Sequence, residues 1–136
     1  MRTPRYRKNA GAVYNLHYHF VWCPKYRKSV LVGAVEDALR QLLTEKAPAL
    51  DVEIEALDIM PDHVHLFVSA PPTQAPQHLA NQFKGYTSRV LRQRFAHLRT
   101  RLPSLWSRSY YVGSAGAVTE ETVKRYVASQ KTRGAE

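Results

Sequence analysis

The chain has 136 residues, 20 Lys and Arg against 11 Asp and Glu, a formal net charge of +9 and a single cysteine, Cys23. One domain spanning 1–136 with one core fits that length, and a lone cysteine excludes an intramolecular disulfide. The positive excess points to a polyanionic partner, and no stretch approaches the ~20 apolar residues of a membrane span, so a soluble, intracellular protein with no membrane role is expected.

Residues 1–12 read as a basic N-terminal arm, with Arg2, Arg5, Arg7 and Lys8 and no acid. The arm is expected to be mobile, free to touch phosphates or simply to aid solubility. Val13 to Cys23 alternates. Tyr14, Leu16, Tyr18, Phe20 and Trp22 lie on one face, Val13, Asn15, His17, His19 and Val21 on the other. This predicts a first strand, ended by Pro24. Lys25, Tyr26, Arg27 and Lys28 follow as a basic turn, in which the tyrosine can stack on a base while its neighbours hold phosphate.

Val35 to Lys46 keeps apolar residues at helical spacing, with Glu36 and Asp37 in its first turn and Pro48 closing it. Val52 to Ile59 alternates as a second strand, with Val52, Ile54 and Ala56 as its apolar set. Pro61-Asp62 then turns the chain into an antiparallel hairpin. In the partner strand His63, His65 and Phe67 point one way, Val64, Leu66 and Val68 the other. Two neutral imidazoles two residues apart on one face suit a shared metal ion with open positions for substrate. By spacing alone His17 and His19 could do the same, and ordinary hydrogen-bonded histidines are the plainer alternative.

Gln77 to Leu98 predicts a long helix with Gly85 as its weak point. No Asp or Glu occurs from His63 to Thr119, a stretch that carries Lys84, Arg89, Arg92, Arg94, Arg99 and Arg101. A solvated helix face usually mixes both signs, so a nucleic-acid-binding surface is favoured. Leu105 to Val112 reads as a final aromatic strand, with Trp106 in the core and Gly113 and Gly116 as a pliable link beyond it. Thr119 caps a last helix over 119–133, on which Tyr126 and Gln130 are four apart and share a face.

The order strand, helix, strand, strand, helix, strand, helix implies an α+β fold. It is a ferredoxin-like antiparallel sheet sandwich, βαββαβ, with an additional C-terminal helix that carries Tyr126. The first and third strands would be central neighbours, which could set the two His-x-His pairs side by side.

Three blocks, Tyr18 to Arg27, Met60 to His65 and Arg125 to Gln130, together with Trp106 to Val112, resemble the IS200/IS605 single-tyrosine transposases, a branch of the HUH endonucleases. The resemblance covers about residues 13–131. It implies a metal site of His63, His65 and Gln130, binding Mg2+ or Mn2+, with His19 a family residue that is not a ligand. It implies Tyr126 as the nucleophile, forming a 5′-phosphotyrosine on single-stranded DNA whose hairpins mark the element ends. It also implies a homodimer, with active sites that can be shared between chains, in the nucleoid-associated cytoplasm of a bacterial or archaeal cell. Lys25, Arg27, Lys28, Lys84, Arg89, Arg92 and Arg94 are the candidate DNA contacts, on charge. A domesticated relative acting on repetitive genomic hairpins has the same signature. A non-catalytic DNA- or RNA-binding module would need none of these residues together.

Overall fold

A computed structural model describes residues 6–114 and 120–135, with side chains on the final helix described for 121–130. Arg2, Arg5, Gly116 and Thr119, and the side chains of Lys131 and Arg133, lie outside the described residues. The elements in order are β1 (Arg7–Lys8), β2 (Val13–Tyr14), β3 (His17–Trp22), a 3-10 turn (Lys25–Arg27) and α1 (Gly33–Ala49). After them come β4 (Glu53–Met60), β5 (His63–Ser69), α2 (Pro76–Arg94), α3 (Ala96–Thr100), β6 (Tyr111–Ser114) and α4 (Glu120–Ala135).

The main sheet has the order β4-β5-β3-β6, every neighbour antiparallel. This is the ferredoxin-like arrangement with α4 added, and β3 and β5 are its central pair. One face buries Phe20, Trp22, Val64, Leu66 and Val68 completely, against Leu39, Leu42 and Leu43 of α1 and Leu79, Phe83 and Leu91 of α2. Burying that much branched and aromatic surface is what holds the layers together. Trp106 joins this core and donates its indole N–H to Thr87 Oγ1 at 3.1 Å, so its polar edge is satisfied. The opposite face carries the histidines.

Four local expectations are revised. The first strand is broken at Asn15 and Leu16, because Val13–Tyr14 pairs with Arg7–Lys8 instead of joining β3. With that pairing the arm is partly fastened. Arg7 forms ion pairs with Asp51 at 3.1 Å and Glu53 at 3.2 Å, reaches the Ser69 carbonyl and lies over the Tyr14 ring. A bulge between Ile54 and Ala56 reverses the alternation of β4, so Ile59 is buried and Ala56 is exposed. The long helix ends at Arg94, and Phe95, in extended conformation, separates it from α3. The final strand is only Tyr111–Ser114; the segment before it is irregular, tied by a Pro24–Trp106 bridge and a Ser107 N–H to Cys23 carbonyl bond of 2.9 Å.

Candidate active site

Strand alternation puts His63 and His65 on the face away from α1 and α2, and the β3–β5 register sets Val21 opposite His65 and Phe67 opposite His19. The two imidazoles lie with ring centroids 4.8 Å apart. Each has its Nδ1 occupied. His63 Nδ1 is 2.8 Å from Asp62 Oδ1, and His65 Nδ1 is 3.2 Å from His19 Nε2. With a proton on each Nδ1, the lone pair of both rings is on Nε2. A partner on the far ring nitrogen is the usual way a ligating histidine is fixed in tautomer and direction. His65 is also kept neutral. Burial, then the neighbouring His63 and His19, pull it from 6.5 down to about 4, against an opposing pull from Asp58. His19 is lowered as well, again chiefly by burial.

His17, the other expected candidate, is turned elsewhere. Its Nδ1 pairs with Glu55 and its Nε2 lies 2.5 Å from Asn15 Oδ1, so both nitrogens are in use. Among the described residues no cluster of three His, Cys, Asp or Glu gathers to hold a metal. His63 and His65 can therefore supply two donors, and further ones must come from an amide, from water or from substrate. The donor set is chemically suited to a divalent ion, since its ligands are neutral and leave the ion's charge for an anion.

The tyrosine and the glutamine are brought together by α4. Tyr126 and Gln130 sit one turn apart and meet the irregular segment before β6. The Tyr126 hydroxyl shares a 2.8 Å hydrogen bond with Ser109 Oγ, and its ring lies 6.2 Å from that of Tyr111. Gln130 is 3% exposed, and its Oε1 accepts from the Ser107 and Ser109 hydroxyls at 3.1 and 3.2 Å. Tyr111 stands opposite Val21, which stands opposite His65, so α4 docks on the same face of the sheet as the histidines.

Arg27 links the two halves. Its Nε pairs with Asp62 Oδ2 at 3.1 Å while its Nη1 donates to the Val127 carbonyl of α4 at 3.3 Å. Asp62 thus holds His63 with one oxygen and Arg27 with the other. Tyr26 and Arg27 have φ of 60° and 50°, the left-handed region that costs a non-glycine residue. That strained turn is what points Arg27 back at Asp62 and α4. The ordering roles of Asp62, Ser107 and Ser109 went unpredicted, although Asp62 is next to His63 in sequence and within reach of its ring.

The candidate DNA contacts separate into two groups. Lys28, Arg89 and Arg94 are exposed, with Lys25 half-buried over the Tyr26 ring. Arg27 is committed as described, Arg92 donates to the carbonyls of Arg99 and Leu102, and Lys84 donates to those of Ser107 and Ser109. Cys23 is buried, and burial first and Asp62 second push its thiol up to about 12, so it supplies no thiolate here.

Comparison with known proteins agrees with this fold. The family described as "Transposase IS200 like" matches residues 12–130. The ISDra2 transposase TnpA of Deinococcus radiodurans is 37% identical over 126 residues, covering 91% of this chain and 90% of the relative. The transposase for insertion sequence element IS200 of Salmonella typhimurium is 28% identical over 119 residues, covering 86% and 78%. A crystal structure of a D. radiodurans R1 protein described as a transposase superposes with a TM-score of 0.86 at 35% identity, over 91% of this chain and 97% of that one. A REP-associated tyrosine transposase, solved bound to a REP hairpin, shares the fold with a TM-score of 0.56 at 15% identity, over 92% and 68%. With a family match over nearly its whole length and a relative above a third identical, the chain belongs to the IS200-like, single-tyrosine transposases.

Proposed function

We propose that this transposase is a divalent-metal-dependent endonuclease and strand transferase for single-stranded DNA, with Tyr126 as nucleophile and hairpins at element ends as its recognition feature. The observation that carries this reading is the orientation of His63 and His65. Asp62 and His19 take the Nδ1 positions, leaving both Nε2 atoms as donors on the face where α4 presents its tyrosine. His63, His65 and Gln130 would hold Mg2+ or Mn2+, which supplies positive charge to a scissile phosphate oxygen.

In the cleavage step the Tyr126 phenolic oxygen bonds to phosphorus as the bond from phosphorus to the 3′ oxygen breaks. The phenol gives its proton to water, and the departing oxygen takes one to become a 3′-hydroxyl. The resulting 5′-phosphotyrosine keeps the ester's free energy, so a second 3′-hydroxyl can reverse the step without a nucleotide cofactor. For Gln130 to act as a ligand, its oxygen must give up the hydroxyls of Ser107 and Ser109. A shift of α4 from its seat would release that oxygen, and docking on a partner subunit in a homodimer is the form of shift the family resemblance implies. Lys28, Arg89 and Arg94, with Lys25 beside them, form the exposed cationic surface for phosphates. The hairpin held by the REP-associated relative supports hairpin recognition here. Such an enzyme works where chromosomal DNA lies, in the cytoplasm.

The test is covalent capture on denaturing gels, using labelled single-stranded hairpin DNA with Mg2+ or Mn2+. Wild-type protein should form an adduct. His63→Ala, His65→Ala and Tyr126→Phe should each reduce it by at least ~100-fold while hairpin binding stays within about threefold. An undiminished adduct in excess chelator, or on the phenylalanine variant, would overturn the metal or the nucleophile assignment respectively.

A further inference from the structure

Lys84 is the cation whose surroundings its sequence position least announces. It lies in α2, which packs on the face of the sheet away from the histidines, yet its side chain reaches the segment that meets α4. Its ammonium donates to the Ser107 carbonyl at 2.9 Å and the Ser109 carbonyl at 3.1 Å, and it lies 5.8 Å from the centre of the Tyr110 ring between them. Bonds from a charged donor to carbonyls in a half-buried setting are stronger than neutral ones and expensive to leave unmade. The same two residues turn their hydroxyls the other way, to Gln130 and Tyr126.

We propose that Lys84 is a positioning residue for the nucleophile helix: by clamping the carbonyls of Ser107 and Ser109 it fixes the two hydroxyls that seat Gln130 and Tyr126. The irregular segment 107–109 lies outside the strand ladder and is tied by the Ser107 N–H to the Cys23 carbonyl, so the Lys84 donor, which also reaches Ser109, completes the fix on where those hydroxyls point. Burial pulls the Lys84 amine from 10.5 to about 8, with Cys23 opposing, which leaves it mainly an ammonium at neutral pH. The importance of this seat for catalysis rests on the Tyr126 reading above; the seat itself does not.

The experiment compares wild type, Lys84→Met, Lys84→Arg and the Ser107→Ala/Ser109→Ala pair with and without Lys84→Met. Backbone hydrogen exchange along α4 is the readout, with hairpin affinity alongside. Methionine keeps the apolar stem and removes the donors. Lys84→Met should speed exchange in α4 by roughly tenfold, while β3 and β5 stay near wild type. Lys84→Arg should restore much of the protection, since it remains a charged donor. With both serine hydroxyls gone, Lys84→Met should add nothing further in α4, because Lys84 acts through them. Hairpin affinity should stay within about twofold, as expected of a cation turned away from phosphate. Unchanged α4 exchange, faster exchange spread evenly over all elements, or a full effect in the serine-free background would each overturn the proposal. So would a parallel loss of hairpin affinity, which would make Lys84 a phosphate contact. Failure of wild-type protein to form the Tyr126 adduct would instead defeat the catalytic reading and leave the exchange result to decide on Lys84.

Discussion

At the scale of single residues, the site turns on which nitrogen of each histidine faces outward. His65 is held neutral by burial and by two neighbouring imidazoles, so its Nε2 stays a donor well into acid. In chelator-treated protein, an NMR titration should place the His65 ring midpoint near 4. A midpoint near 6.5 would mean that the buried, hydrogen-bonded orientation is wrong. The sign for stability follows. Between about 4 and 6.5 the unfolded chain binds the proton and the folded one does not, so this group's contribution rises with pH across that window and is lost as pH falls through it. The alternation of Asp62 to Val68 made the histidine pair legible in sequence, because side-chain direction on a strand follows from period 2 alone. The choice between His17/His19 and His63/His65 was not legible from spacing. In space, Glu55 and Asn15 occupy His17 while Asp62 and His19 orient the other two rings, which supports the second pair in the proposed reading.

Among elements, those set by long apolar periodicity could be read and those set by local irregularity could not. The stripe of Leu79, Phe83 and Leu91 gave α2, and Leu39, Leu42 and Leu43 gave α1. The bulge in β4 and the break at Phe95 carry no such signature, so pattern alone groups Ala56 with Val52 and Ile54 and runs α3 into α2. Lys84 has surroundings that its charge does not announce. Charge suggested an outward cation, but it stands in helical line with Ala80, Thr87 and Leu91, all buried. Gly85 offers a test of α2 itself. Beyond its chain neighbours and the backbone of its own helix, no atom lies within 4 Å of where its Cβ would be. Gly85→Ala should therefore stabilise the protein by about 0.5–1 kcal/mol through helix propensity, read as a higher denaturant midpoint. Destabilisation would show that another surface approaches α2 there. The Arg27 link makes a second prediction at this scale. Arg27→Met leaves Asp62 with one partner fewer and α4 without its tie to the turn, and should cost about 1–2 kcal/mol, visible in the same denaturant curves. No loss would mean that the link is incidental to the docking of α4.

For the whole molecule, charge and the seat of α4 set the behaviour. With a net charge of +9 and its exposed arginines on α2, hairpin binding should weaken steeply with salt. Arg89→Ala should lower the logarithmic slope by about 0.7 if that side chain neutralises one phosphate of a single strand. An unchanged slope would place the DNA elsewhere. The seat of α4 bears on assembly. In this structure Tyr126 and Gln130 rest against serines of their own chain, and Gln130 has its oxygen accepting from two hydroxyls. In the site proposed above, that oxygen would exchange these hydroxyls for an ion at His63 and His65, and the question is which chain's histidines α4 brings it to. If α4 docks on the partner, each site draws its histidines from one chain and its Tyr126 from the other. Co-expressing His65→Ala chains with Tyr126→Phe chains then gives mixed dimers in which one site carries both lesions and the other carries none. By the counting a two-fold assembly allows, about half of wild-type adduct formation should return in the purified mixed dimer. If α4 shifts only within its own chain, every site carries one lesion and the mixed dimer stays inactive, which would sink the shared-site arrangement.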